Sequence, residues 1–391
     1  MEETIVQQNT PEKAESKNAS TGKRIEWVDL VKYFCIMMVM LSHLESRTDL
    51  WTTFYSPFFL TAFLFVSGYV YRPKRKFGSF LYKKFRQLFV PWLVFSVLNI
   101  VLSQIISFNE QGSLWDELKW NFLQIRGSGD EIWFVAALFV AFVPFYFIVK
   151  GYEFFRAKEN VRGGKLVLVA VAIVWILALA STLYSRLMPS DLFPWGRNAL
   201  PWHLEYVFTA NFFMFLGYIF RQEWEKLLDA INHWWTTLLV WIAYLLLVYL
   251  PFFLQAEFLI ALDIAYDYVC ELLGITAIVM TAKVIKSNRY FNYVGQNTLI
   301  YFAFHGKVYS LIQMLLHRFA GGIYATILGN VALSSIFALC FALFISVILI
   351  IPAYIINRWL PFLVGRPCKK KIRQKGTEQD TASSDKKLNN E

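Results

Sequence analysis

Two ionisable side chains, Lys32 and His43, occur in an otherwise apolar run near the N-terminus. They are eleven residues apart, which on an α-helix is three turns plus about 20°, so both side chains project from one face. At 1.5 Å per residue their axial separation is about 16 Å. Such a helix presents a cation that can bind an anion at one end and an imidazole that can act as a general base at the other. The alternative is structural, with both side chains lying at the two membrane interfaces.

A second polar set lies in an apolar run near residue 300. Asn297, Tyr301 and His305 follow one another at intervals of four residues, so they form a polar stripe on one face of a helix. Polar stripes of this kind join neighbouring membrane helices at about 1 kcal/mol per hydrogen bond. They can equally face a cavity and bind a substrate. For Asn297 we favour the interhelical interpretation, and for His305 both interpretations stay open.

Three acidic residues repeat the same spacing in another apolar run, at Asp263, Asp267 and Glu271. Three carboxylates on one face of a membrane helix cannot all face lipid, because a charged group in hydrocarbon is costly. They must line a hydrated cavity or pair with cations. The stripe could bind sugar hydroxyls, relay protons or neutralise Lys32, and the sequence does not choose between these roles.

The segment from residue 72 to residue 86 is strongly basic. It carries the seven cations Arg72, Lys74, Arg75, Lys76, Lys83, Lys84 and Arg86. This density exceeds what membrane orientation needs and suits a polyanionic ligand such as a nucleotide-containing cofactor. Lipid headgroups and a purely topological role are the alternative. The four cysteines have no spacing typical of a metal site, so we predict no metal. Nucleic acid is not an expected partner, because the basic residues lie at membrane edges.

The elements that must position these side chains are membrane-spanning helices. The 391-residue chain is 57% hydrophobic and 17% charged, whereas soluble proteins are about a quarter charged. Apolar runs of roughly 20 residues are long enough to cross a bilayer. We find them at 28–45, 57–71, 86–107, 132–150, 165–184, 201–220, 234–254, 258–282, 291–315 and 326–356. We therefore predict an all-α fold, a polytopic membrane bundle of about ten transmembrane helices.

The distribution of positive charge orients this bundle. With a cytoplasmic N-terminus, 30 of the 38 Lys and Arg residues fall in cytoplasmic segments and seven in exterior ones, as the positive-inside rule requires. Both termini are then cytoplasmic. We expect residues 1–24 and the basic segment 361–391 to be disordered cytoplasmic tails, and residues 25–360 to form the membrane domain.

Several of these segments, taken in order, resemble motifs of the acyltransferase-3 family of integral membrane acyltransferases, in its fucose 4-O-acetylase-like subgroup. The resemblance extends from about residue 24 to residue 315. Lys32 and Lys83 stand where the family usually has Arg, which keeps the charge and loses the bidentate fork. The matching residues are Asp29, Lys32 and His43, then Ser67, Gly68 and Tyr69, then Lys83 and Arg86, then Trp133 and Phe134, and finally Gly295, Asn297, Leu299, Tyr301 and His305.

The resemblance implies transfer of an acyl group, usually acetyl, from acyl-CoA to a hydroxyl of a cell-surface or exopolysaccharide sugar. Acetyl-CoA would be the co-substrate, a glycan or lipid-linked sugar the acceptor, and the bacterial plasma membrane the location. On this interpretation His43 and His305 are catalytic, with His43 as the general base. The residues expected to bind CoA are Lys32, Lys83, Lys84 and Arg86. Those expected to bind substrate are Asp29, Asn297, Tyr301, Asp267 and Glu271.

Two other functions are compatible with the same sequence. A transporter or flippase of a lipid-linked sugar would use the acid stripe for proton coupling. A non-catalytic glycan-assembly protein would use the polar stripes for binding alone. An acyltransferase depends on His43, whereas a transporter depends on the acids and on the proton gradient.

Overall fold

A computed structural model describes residues 24–44, 50–73, 76–106, 113–127, 132–159, 164–254 and 260–366. Over these ranges the chain forms helices joined by turns, and no β-strand occurs among the residues described. The predicted all-α fold is thereby confirmed.

The described chain forms sixteen α-helices. In order they are α1 (Glu26–Ser42), α2 (Leu50–Tyr55), α3 (Phe59–Tyr69), α4 (Phe77–Lys84), α5 (Val90–Ile106), α6 (Leu114–Leu123), α7 (Trp133–Glu159), α8 (Gly164–Leu187), α9 (Val207–Ile219), α10 (Glu225–Ile231), α11 (Trp234–Leu254), α12 (Ile260–Val284), α13 (Arg289–Gln296), α14 (Thr298–Gly329), α15 (Val331–Ile348) and α16 (Ile350–Trp359). Single π-helical turns join α4 to α5 and α9 to α10.

Eight helical stretches of the described chain are long and apolar enough to cross a membrane, and they correspond to eight of the ten predicted spans. They are Leu50–Tyr69, Phe77–Ile105, Trp133–Lys158, Gly164–Leu187, Trp234–Pro251, Leu262–Val284, Thr298–Gly329 and Val331–Trp359. The other two predicted spans correspond to α1, with 17 residues, and α9, with 13. Both short helices are largely buried inside the bundle, so other helices surround them. The chain is therefore a polytopic bundle of membrane helices.

The central helix of the bundle is α1, which contacts α3, α12, α13, α14 and α15. Glycines permit its closest approach: a Cβ atom on Gly295 of α13 would lie 1.9 Å from the backbone oxygen of Asp29. Helices α3 and α9 also approach each other closely at a glycine, since a Cβ atom on Gly68 would lie 1.8 Å from the backbone oxygen of Met214. Small residues of this kind let membrane helices come into backbone contact.

The last two predicted spans differ from the structure in their bounds. The span predicted at 291–315 is divided at Asn297, whose backbone leaves the helical conformation (φ −114°, ψ 17°), and α14 then continues to Gly329 through a kink at Ala320. The last span begins at Val331 instead of 326, because Asn330 caps α15 by accepting a hydrogen bond from the Leu333 N–H at 3.0 Å. Breaks made by hydrogen bonds do not change hydropathy, so an apolar run does not reveal them.

The first and last described segments lie at the same end of the bundle, and the cytoplasmic side of the two termini stays a prediction. Arg24 and Arg366 line one cavity there. After α16 the chain continues through a 3₁₀ helix at Pro361–Val364, and Gly365 lies against the backbone of Arg86. Residues 361–366 therefore belong to the folded bundle, although we assigned them to the tail. The rest of the two predicted tails, 1–23 and 367–391, lies outside the described residues.

Candidate active site

His43 and His305, the two predicted catalytic histidines, lie next to each other in the fold. Their ring centroids are 4.8 Å apart and the ring planes are inclined by 59°. His43 ends α1 and its side chain is exposed, whereas His305 lies two turns into α14 and is 2% exposed. Two imidazoles in contact form an arrangement in which one ring can orient the other as a general base.

The tautomer of His305 follows from its hydrogen bond. Its Nδ1 atom lies 2.9 Å from the carbonyl oxygen of Phe302, and because a carbonyl can only accept, Nδ1 carries the proton. In the neutral ring Nε2 then keeps its lone pair and can accept a hydrogen bond or a proton. The hydrogen bond to the α14 backbone thus fixes the tautomer in which Nε2 is the basic nitrogen of this ring.

A cavity of about 490 Å³ opens at the end of the bundle that holds both described termini. Its wall includes the apolar residues Ile36, Phe63, Phe134 and Phe302. The Phe302 ring also contacts that of His305, with centroids 5.9 Å apart, so the wall lies next to the histidine pair, although neither His43 nor His305 is among the residues that line the cavity. The polar residues that line the cavity are Arg24, Lys32, Ser67, Gln87, Gln296, Asn297, Thr298 and Arg366. A cationic opening and an apolar wall can admit an anion with an extended arm.

Lys32 lines this cavity and is paired with the preceding turn of its own helix. Its Nζ atom lies 3.8 Å from Oδ1 of Asp29. Asp29 is 6% exposed and is not among the lining residues, so it partly neutralises and positions Lys32. A contact between Asp29 and the substrate stays a prediction.

The three basic residues of segment 83–86 do not line the cavity. Lys83 and Arg86 have exposed side chains. The Nζ atom of Lys84 lies 3.3 Å from the centroid of the Phe142 ring, which is a cation–π contact. Gln87, the next residue along the helix, does reach the cavity. Contacts of these three cations with CoA stay predictions.

The stripe of Asn297, Tyr301 and His305 meets three different environments. Asn297 lines the cavity and links helices, since its Oδ1 accepts a hydrogen bond from Nδ2 of Asn357 in α16 at 2.7 Å. This contact confirms the interhelical interpretation of Asn297. Tyr301 is fully buried, and its hydroxyl has no hydrogen-bond partner among the residues described. Substrate contacts of Asn297 and Tyr301 stay predictions.

The acid stripe of α12 is paired with a cation of α8. The Nη1 atom of Arg186 lies 2.5 Å from Oδ2 of Asp263, and its Nη2 atom bonds Oδ2 of Asp267. Of the roles left open by the sequence, cation pairing is therefore present for two acids, with Arg186 as the partner. Asp267 and Glu271 do not line the cavity that contains Lys32, and their substrate contacts stay predictions.

Two cations of the site, Arg24 and Arg366, were missed because we assigned them to the tails. Both line the cavity. Each lies at an outer edge of the apolar part of the chain, where a basic residue is equally expected for topology alone. The sequence therefore contained no signal that separates a ligand contact from an orientation charge at these two positions.

A second polar pair, also missed, lies beside the ring of Trp133. His203 and Glu205 are 2% and 3% exposed, with Nδ1 and Oε1 4.0 Å apart, and the Trp133 ring centroid lies 4.8 Å from that of His203. Trp202 and His203 both have positive φ, 59° and 53°, which is uncommon for residues with side chains. Trp133, His203 and Glu205 do not line the cavity. The sole sequence signal of the pair is a His-x-Glu spacing.

The described site thus offers cations, amides and imidazoles for chemistry. Its cations could hold an anionic cofactor, and its imidazoles could take up and release a proton. Among the residues described, no three His, Cys, Asp or Glu side chains are grouped so that they could hold a metal ion.

Comparison with known proteins places the chain in a family. The acyltransferase-3 family model, described as an acyltransferase domain, matches residues 25–355. This range contains Lys32, His43 and His305. Searches of curated proteins and of solved structures gave no match. Because the family model covers most of the sequence, the chain belongs to the acyltransferase-3 family of membrane acyltransferases.

Proposed function

We propose that the chain is an O-acetyltransferase that moves the acyl group of acetyl-CoA to a hydroxyl of a cell-surface or exopolysaccharide sugar. The observation that carries this proposal is the contact of His43 with His305 beside a cationic cavity. A cofactor with several phosphates and an extended arm suits the cationic opening and the apolar wall. Imidazoles are the groups best suited to activate a hydroxyl near neutral pH.

The acyl donor enters from the end of the bundle that carries the first and last described residues, Arg24 and Arg366. The positive-inside rule assigns this end to the cytoplasm, where acyl-CoA is available. The phosphates of the acyl donor lie at the opening beside Lys32. Its thioester extends along Ile36 and Phe302 toward His305. Lys32, Ile36 and Phe302 line the cavity, and the Phe302 ring contacts that of His305.

The acceptor sugar approaches from the opposite end, where the side chain of His43 is exposed at the end of α1. On that helix Lys32 and His43 are separated by about 16 Å along the axis. The two substrates therefore enter from different sides and meet at the histidine pair.

In the reaction, His43 accepts the proton of the acceptor hydroxyl while that oxygen attacks the carbonyl carbon of the thioester. The carbon–sulfur bond breaks, and the proton passes from the imidazolium to the CoA thiolate. The products are the acyl ester and CoA with a free thiol. His305, whose Nδ1 is held by Phe302, offers Nε2 to the His43 ring and orients it.

The test is acyl transfer by the full-length chain in membranes, with labelled acetyl-CoA and a surface glycan as acceptor. His43→Ala should lower the rate by about 10²- to 10⁴-fold, the usual contribution of a general base, at an unchanged protein level. His317→Ala is the matched control, because His317 is also exposed and contacts Tyr324 instead of the pair. Retained O-acetylation in the His43→Ala variant would refute the assignment.

The acceptor and the acyl group can be identified in cells. Mass spectrometry of surface glycans from cells with and without the chain should show the loss of one acyl unit, whose mass names the group. Unchanged glycan masses would contradict the proposed acceptor class.

We do not propose the transporter alternative. It depended on the acid stripe, and two of the three acids, Asp263 and Asp267, are paired with Arg186.

A further inference from the structure

The opening of the cavity carries more positive charge than its acidic neighbours neutralise. Arg24, Lys32 and Arg366 all line it. Lys32 has Asp29 at 3.8 Å, whereas neither arginine forms an ion pair with a carboxylate among the residues described. Two uncompensated guanidinium groups that face one cavity repel each other, and an anion bound between them would relieve that repulsion.

Arg366 is held in a defined position by neutral groups. Its Nη2 atom donates to the carbonyl oxygen of Gln296 at 3.0 Å and to Oδ1 of Asn297 at 3.1 Å. Its Nη1 atom donates to Oδ1 of Asn357. Asn357 in turn donates to Asn297 at 2.7 Å. These contacts orient the guanidinium without cancelling its charge, which is the preorganisation that an anion site needs.

The electrostatics of Arg366 agree with this geometry. Burial lowers the pKa of Arg366 from its usual value, and the nearby charge of Arg24 lowers it further. Arg keeps its proton at any physiological pH, so the group stays charged and would gain from a bound anion.

The same cavity meets the start of a long helix. Thr298, Leu299 and Ile300 line it, and they are the first residues of α14, which has 32 residues. Asn297 makes no side-chain cap at this terminus, because its amide is engaged by Tyr293 and Asn357. The Ile300 N–H donates to the Asn297 carbonyl at 2.9 Å, so the N–H groups at the first two positions, those of Thr298 and Leu299, are the ones that can favour an anion and add to the attraction of the two arginines.

We propose that Arg366, Arg24 and the first turn of α14 form a phosphate subsite. This inference rests on the proposed function, and under it the subsite binds the phosphates of acyl-CoA. Asn297 and His305 are eight residues apart, about 12 Å along the helix axis. An anion at Arg366 thus leaves the arm of the cofactor free to run along Phe302 to the histidines. The segment after the last span, outside the matched range of 25–355, becomes part of the donor site.

The experiment measures binding to the full-length chain in nanodiscs made of uncharged lipid. The probes are CoA, inorganic pyrophosphate and glycerol phosphate, titrated by calorimetry into each variant. Arg366→Gln should weaken CoA and pyrophosphate binding by about ten- to a hundredfold, as expected for hydrogen bonds to a charged group. Arg366→Lys should give an intermediate loss, because it keeps the charge and loses the fork.

Two further variants keep the test decisive. Arg358→Gln is the matched control, since Arg358 is an exposed cation of α16 and does not line the cavity, and its affinities should stay within about twofold because an exposed charge contributes little. Arg24→Gln should also weaken CoA binding. Because Arg24 is exposed, this variant should fold normally and so remains informative if Arg366→Gln does not fold.

The outcomes separate this inference from the proposed function. Unchanged CoA and pyrophosphate affinities in both Arg366→Gln and Arg24→Gln would overturn the subsite, even if the wild type transfers acetyl groups. Tighter binding of glycerol phosphate than of CoA would also overturn it and assign the site to a lipid headgroup. Weakened CoA binding in these variants supports the subsite, even if the wild type fails to transfer an acyl group and the proposed function falls.

Discussion

The imidazole rings of His43 and His305 contact each other with centroids 4.8 Å apart, although they come from opposite parts of the chain. One ring is exposed at the end of the central helix, and the other is buried within α14. The exposed ring can meet a polar acceptor, whereas the buried ring is oriented by the Phe302 carbonyl. This division of roles leads to the first prediction.

His305→Asn should lose activity while keeping the fold. An Asn amide can still donate a hydrogen bond to the Phe302 carbonyl in place of Nδ1 but has no lone-pair nitrogen to replace Nε2, so acetyl transfer should fall by about 10²-fold or more. His305→Ala should lose the same activity and also about 1–3 kcal/mol of stability, because it empties a buried hydrogen-bonding position. Transfer assays and thermal unfolding in detergent measure both effects. An active His305→Asn variant would show that Nε2 has no part in the reaction.

Lys32→Arg should keep the Michaelis constant for acetyl-CoA, whereas Lys32→Gln should raise it by about tenfold with a smaller change in kcat. Lys32 lines the cavity, and either Lys or Arg at this position supplies the positive charge that binds the donor, whereas Gln does not. Asp29→Asn should mainly lower stability, because it leaves the ammonium group of Lys32 without its partner at 3.8 Å. Steady-state kinetics at varied acetyl-CoA concentrations measure these constants. Equal Michaelis constants for Lys32→Arg and Lys32→Gln would contradict a contact of Lys32 with the acyl donor.

Gly295→Ala should destabilise the bundle by about 1–3 kcal/mol through overpacking. The added Cβ atom would lie 1.9 Å from the Asp29 backbone oxygen, so α13 and α1 must separate. Gly151→Ala is the matched control, since this glycine lies within α7 and has nothing within 4 Å of its Cβ position. That variant should be neutral or up to about 1 kcal/mol more stable, because Ala has the higher helix propensity. Equal melting temperatures for the two variants would contradict the close contact.

Arg186→Gln should cost more stability than Asp267→Asn, and the double variant should be no worse than Arg186→Gln alone. Arg186 pairs with both Asp263 and Asp267, so Arg186→Gln removes two ion pairs and Asp267→Asn removes one. The side chains of Arg186, Asp263 and Asp267 are 42%, 39% and 45% exposed, so we expect each pair to contribute at most about 1 kcal/mol. Neither variant should change the Michaelis constant for the acceptor. If Asp267→Asn raised that constant and Arg186→Gln did not, Asp267 would contact the substrate, as the sequence first suggested. Thermal unfolding combined with acceptor kinetics distinguishes these cases.

The positions of the apolar helices could be predicted from the sequence because hydropathy is a local property. A run of about 20 apolar residues is costly in water and stable in a bilayer whatever surrounds it. The start of α14 was harder to predict, since the side chain of Asn297 at the break bonds to Tyr293 and Asn357. Because those partners lie on other turns and helices, the hydropathy averaged over a short stretch of sequence does not reveal them.

The sequence by itself determined the fold class, the positions of the apolar helices and the types of side chain available for catalysis and binding. Hydrophobicity, charge and helical spacing are all properties of short segments. The tertiary structure alone decided which of these residues meet. It brought His43 to His305, paired Asp263 and Asp267 with Arg186, and turned Arg24 and Arg366 toward the cavity that Lys83 and Arg86 do not line. The physical reason is that the direction of a side chain is set by the packing of whole helices against one another, and that packing depends on contacts between residues far apart in the chain.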